Sequence, residues 1–115
     1  MSLAKKLNLK PGMTVRVIGK PSGVDLDDVR TGATPKEDAV LLFVKSVADL
    51  DAKGAPAIDA AREDRIAWIA YPKGAQLQTD LNRDILWKHL QKHGIQGVRQ
   101  ISIDDVWSAL RFRPR

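Results

Sequence analysis

The chain has no cysteine, which excludes disulfides, thiolate-metal sites and cysteine nucleophiles. Aromatic residues are scarce at 5%, and there are only two histidines. Long apolar runs are also missing, since no stretch approaches the roughly 18 residues of a membrane-spanning helix. No membrane partner is therefore expected. Residues 1–6 (MSLAKK) carry lysines with no apolar segment behind them, so a secretory signal is not expected and a cytoplasmic location is the default. No Ser-His-Asp signature, phosphate loop or zinc motif is present.

What is present fits one globular domain over residues 1–115, long enough for a single core. Hydrophobic residues make up 43% and charged residues 29%. The net charge of +5 comes from 19 basic and 14 acidic residues that are interspersed along the chain. The densest basic points are Lys5-Lys6 and the tail Arg111-Phe112-Arg113-Pro114-Arg115. Nucleic-acid binders concentrate more charge on one face and interleave more aromatics, so a nucleic-acid partner is not expected.

Residues 63–83 (EDRIAWIAYPKGAQLQTDLNR) organise the rest. They read as a buried strand at 65–71, a turn carrying Tyr71-Pro72-Lys73, a short loop, and a helix capped by Thr79 or Asp80 that runs to about His93 and is ended by Gly94. Before them come a short amphipathic helix at 3–9, a Lys10-Pro11-Gly12 turn and a strand at 13–18. Residues 24–38 are poor in large apolar side chains. Asp25 to Val29 has the length of one helical turn, and Thr31-Gly32 and Thr34-Pro35 are turn signals. The continuous apolar run 39–44 (AVLLFV) marks a strand covered on both faces. Ser46 is placed to cap the next helix, with Asp49 in its first turn. Gly54-Ala55-Pro56 then kinks that helix or splits it in two.

In the helix after residue 80, Leu81, Ile85, Leu86 and Leu90 fall on one side and Trp87 points away. Strands at 98–103 and 106–112, joined at Asp104-Asp105, form a terminal antiparallel hairpin. Strands alternating with helices imply right-handed parallel crossovers. The expectation is a small three-layer α/β sandwich: a mostly parallel five-stranded sheet with an antiparallel C-terminal strand.

The opening LAKKLNLKPGMTVRVIG resembles the start of a class I methyltransferase, with a cover helix, a Lys-Pro-Gly-Met turn and a first strand. The later order of elements resembles the second half of that Rossmann-like fold and implies a strand order 1-2-3-5-4. The family's GxGxG loop is replaced here by Gly19-Lys20-Pro21-Ser22-Gly23, with wrong spacing and a bulky Lys-Pro in the middle. The ribose-binding acidic residue is missing together with the strand that would carry it. The resemblance thus implies a truncated methyltransferase-like sheet, with no cofactor expected. The segments KPGM, AVLLFVKS, IAWIAYPKG, TDLNRDILW and SIDDVWSALRFRP resemble a family of small bacterial proteins of unknown function, related to the grouping called domain of unknown function 3052. That resemblance implies the same sheet and no activity.

Open α/β sheets bind ligands at the carboxyl ends of their strands. Gly19, Lys45, Ser46, Tyr71 and Lys73 are expected there, with Lys73 and Lys45 able to meet a phosphate or carboxylate as point charges. Arg83 is placed either to clamp an anion over the same cleft or to form a surface pair. A non-catalytic domain binding a small anionic ligand or a protein partner is the leading expectation. An interaction module using exposed Trp87 and Trp107 and the basic tail, with a homodimer through the terminal hairpin as one form of it, is the alternative. If helices cover both sheet faces, Trp107 is instead core. A residual methyltransferase is the third class. His89 and His93 lie four apart on one helix but lack a third ligand, so they read as packed or rim histidines rather than a metal pair.

Overall fold

The computed structural model describes residues 3–26, 29–32, 34, 37–73 and 79–115. Among them, strands β1 (Val15–Ile18), β2 (Thr31–Gly32), β3 (Ala39–Phe43), β4 (Ile66–Pro72), β5 (Ile95–Ser102) and β6 (Trp107–Pro114) form one sheet in the order β2-β1-β3-β4-β6-β5. The pairs β1–β2, β1–β3 and β3–β4 are parallel, and β6 runs antiparallel to both β4 and β5. The five longer strands follow the expected order, with the last one reversed. The sheet has six strands rather than five because Thr31 and Gly32, which read as a turn, pair with Val15 and Arg16. A two-residue strand is too short to leave a period-2 signal.

Side-chain alternation divides the core into two clusters, one on each face. Val40, Leu42, Ile69, Tyr71, Leu110 and Phe112 point to one face, where they meet Leu50, Ala57, Ala60, Ala61, Leu86 and Leu90. Those partners lie on α2 (Val47–Lys53), α3 (Ala55–Arg62) and α4 (Arg83–Gln91). Val15, Leu41, Phe43, Trp68, Ala70, Trp107 and Ala109 point to the other face, against Leu7, Val24, Leu26 and Val29. That second face carries α1 (Leu3–Lys6) and loop residues, a thinner cover than the first. It is pinned by the buried Trp68 indole, which donates to the Leu7 carbonyl at 3.0 Å.

The local reasons are mostly those expected. Ser46 Oγ accepts from the Asp49 amide at 3.0 Å and caps α2. Gly54 and Pro56 end α2 and start α3, because proline is tolerated only in a first helical turn.

Three expectations are corrected. First, α4 is capped by Asn82, whose side-chain oxygen accepts from the Ile85 amide at 2.8 Å, not by Thr79 or Asp80. The later start rotates the helix: Ile85 is 41% exposed, while Trp87 turns inward and packs on the first cluster. Second, Trp107 is 3% exposed, edge-on to Phe43 with ring centroids 5.2 Å apart. Val24, Leu26, Val29 and α1 cover its face, so neither Trp87 nor Trp107 is an exposed contact. Third, β5 begins at Ile95, whose buried side chain was hidden by the following Gln96-Gly97, and its register shifts between Gly97 and Arg99.

Among the described residues, no helix is long and apolar enough to cross a membrane.

Candidate functional site

The carboxyl ends of β1 and β3 frame a cavity of about 440 Å³, lined by Gly19, Lys20, Pro21, Phe43, Lys45, Asp49, Lys53 and Trp107. The parallel pairing of β1 with β3 brings Gly19 beside the end of β3. Gly19 has φ +73°, and a Cβ there would stand 2.9 Å from the Phe43 carbonyl oxygen. This close approach admits only glycine without a backbone shift.

Three lysines and one aspartate line this cavity. Lys53 Nζ lies 3.9 Å from Asp49 Oδ1, while Asp49 Oδ2 accepts from the Lys45 amide at 3.1 Å. Lys20 Nζ donates to the Val24 carbonyl at 2.7 Å, which draws the loop after β1 into shape.

A second cavity of about 360 Å³ lies at the end of β4, lined by Tyr71, Lys73, Asn82, Arg83, Gln100 and Ser108. Tyr71 OH accepts from Gln100 Nε2 at 3.0 Å. Burial pushes the Tyr71 phenol up, with the Arg83 charge opposing, so it stays protonated at neutral pH and serves as a hydrogen-bonding group rather than a base. Lys73 Nζ donates to Ser102 Oγ at 2.6 Å, and its amide donates to the Val106 carbonyl at 2.7 Å.

The six residues singled out from the sequence therefore do not share one cleft. Gly19 and Lys45 line the first cavity; Tyr71, Lys73 and Arg83 line the second. Ser46 lies between them as a cap, its hydroxyl facing α2. Thr79 and Asp80 cross-brace the same region. The Thr79 hydroxyl donates to the Lys45 carbonyl, and Asp80 Oδ1 accepts from the Val47 amide at 2.9 Å. Asp80 thus helps satisfy the start of α2 from the far loop.

Sequence reasoning missed Lys20, Asp49 and Lys53 as lining residues. Asp49 and Lys53 had a signal in their i, i+4 spacing on a capped helix. Gln100 and Ser108 had none, because only the hairpin register places them beside Tyr71.

His89 Nε2 lies 2.7 Å from Asp51 Oδ1, and this hydrogen bond holds the Asp51 carboxyl below the usual carboxylate range. Among the described residues, no group of three or more histidine, aspartate or glutamate side chains gathers as a metal site. His89 and His93 are both partly buried. No protein-family model matches this chain, and no curated protein matches it.

Chemically, the lining of the first cavity combines three lysines and one aspartate with the aromatic residues Phe43 and Trp107. That composition suits the binding of a small anion. The second offers a neutral phenol, an amide, an ammonium and a guanidinium, a hydrogen-bonding set of the same kind.

Proposed function

We propose that this protein is a non-catalytic domain that binds a small anionic ligand at the carboxyl ends of β1 and β3. The observation that carries the reading is the cavity whose lining combines Gly19 with Lys20, Lys45 and Lys53 and a single carboxylate residue, Asp49. Lysines on flexible stems meet phosphate or carboxylate as point charges, and Phe43 and Trp107 supply an apolar floor for an attached ring or chain. Tyr71, Lys73 and Arg83 in the neighbouring cavity extend the surface available to a longer ligand.

The strand order, with a single reversed strand between the last two parallel positions, supports reading the sheet as a Rossmann-like, truncated methyltransferase-like one. It is also consistent with membership of the small bacterial family that the sequence segments resemble. In this reading the bulky Lys20-Pro21 after β1 replaces a glycine-rich cofactor loop by a lysine-bearing one.

A thermal-shift screen with nucleotides and phosphorylated metabolites tests the proposal. At least one anionic compound raises the melting temperature of the wild-type protein, and the shift shrinks in Lys45→Ala and Lys53→Ala. A screen without hits counts against it, as do hits whose effect survives both substitutions.

A further inference from the structure

The far end of β6 from Trp107 carries a second concentration of positive charge that the strand-end cavities do not use. Arg99 on β5 and Arg111 on β6 are directly opposed in the antiparallel register, and Arg113 is two residues further along the same face. Like charges placed opposite one another destabilise a sheet, so this pairing needs a counter-charge.

One carboxylate is at hand. Asp64 accepts from Arg113 Nε at 3.0 Å and Nη2 at 3.2 Å, a bidentate pair that occupies that fork. Arg99 Nη1 donates to Asn8 Oδ1 at 3.3 Å, a neutral partner. Arg111 Nε is buried and has no hydrogen-bond acceptor among the described residues. Burial, and then the Arg113 charge, lower the pKa of the Arg111 guanidinium.

Asn8 and Asp64 both hold left-handed backbone, at φ +61° and +59°, each just beyond a helix end. Glycine is the common residue at such positions. Here each carries instead a polar side chain that fixes one of the arginines.

We propose that Arg99, Arg111 and Arg113, steadied by Asn8 and Asp64, form a binding site for a phosphate group on the face of the sheet that carries α1. Three guanidinium charges against one carboxylate leave a surplus of two, which a phosphate dianion neutralises and a single carboxylate does not. Arg99 and Arg111 offer guanidinium N–H groups to phosphate oxygens, while Arg113, its fork held by Asp64, adds charge alone. This site is separate from the strand-end cavity, so neither assignment depends on the other.

The test follows arginine side-chain Nε–H signals by NMR as inorganic phosphate is added at constant ionic strength. Saturable shifts are expected at Arg99 and Arg111. Arg99→Gln, at an exposed position that leaves the core intact, weakens the apparent affinity about tenfold or more, and Lys45→Gln leaves it unchanged. A response that never saturates overturns the proposal. So does wild-type affinity in Arg99→Gln, or loss of the arginine shifts in Lys45→Gln. An oligothymidylate is the competing arm: if it binds these arginines more tightly than phosphate, with a steep salt dependence, the surface reads a nucleic-acid backbone and the small-ligand assignment fails.

Discussion

Gly19 gives a quantitative handle on how the strand-end cavity is built. Gly19→Ala imposes two separate costs. The left-handed backbone at φ +73° penalises an L side chain by about 1–2 kcal/mol. The added Cβ also meets the Phe43 carbonyl oxygen at 2.9 Å, and backbone cannot yield as a flexible side chain does. Gly12 separates the two costs, because its φ is +88° but nothing lies within 4 Å of a Cβ there. Gly12→Ala should therefore lose about 1–2 kcal/mol from backbone conformation alone. Gly19→Ala should lose clearly more, of the order that follows when overpacking costs about 1–3 kcal/mol are added. Replacement by asparagine, which tolerates left-handed backbone, should recover most of the loss at Gly12 and only part of it at Gly19. Urea unfolding followed by circular dichroism measures all four variants, with an unchanged slope expected. Equal losses for Gly12→Ala and Gly19→Ala would refute the close packing of Gly19 on β3.

Ser46→Ala and Asp80→Ala each remove an acceptor from the start of α2, and each should cost about 1 kcal/mol by urea unfolding. Because both serve the same helix end, the double variant should deviate from additivity. Trp68→Phe leaves the Leu7 carbonyl without its buried donor and should destabilise by about 1–3 kcal/mol, with the Leu7, Asn8 and Leu9 amides that close the α1 turn losing hydrogen-exchange protection first. Glu37 accepts from the hydroxyls of Thr14 and Thr34, bonds that hold its carboxyl below its ordinary 4.5. A depressed folded pKa contributes stability above the unfolded value and loses it as pH falls through the folded one. Glu37→Gln should therefore flatten the acid limb of the stability profile below about pH 4.5, as read by urea midpoints at successive pH values.

Much of the sheet was legible because its strands carry strong signals. The unbroken run from Ala39 to Val44 could only be a strand covered on both faces, and the tight Asp104-Asp105 turn fixed an antiparallel hairpin. Errors arose where a local signal competed with a distant partner. Thr79 and Asp80 are good capping residues, but the loop after β3 uses them, which left Asn82 to start the helix. With that later start Ile85 is exposed and Trp87 is partly buried against the first cluster. Trp107 looked available for contacts until Phe43 and the loop bearing Val24 and Leu26 closed over it.

The candidate site was legible only in part. Strand-end position identified Gly19, Lys45, Tyr71 and Lys73 from the topology rule alone. Thr79 and Asp80 tie the segment before α4 to the end of β3 and the start of α2, and no spacing in the sequence encodes that bridge. Arg99 and Arg111 face each other only because β5 carries an irregularity at Val98, which the sequence pattern does not announce.

The claim that an anion binds at the ends of β1 and β3 is tested most directly by mapping backbone amide shifts while the best anionic compound from the screen is titrated. The account predicts saturable shifts concentrated at Gly19, Lys20 and the segment from Lys45 to Lys53, which are lost in Lys53→Ala. Shifts absent from that segment, or confined to Arg99 and Arg111 at the other end of the hairpin, would contradict it.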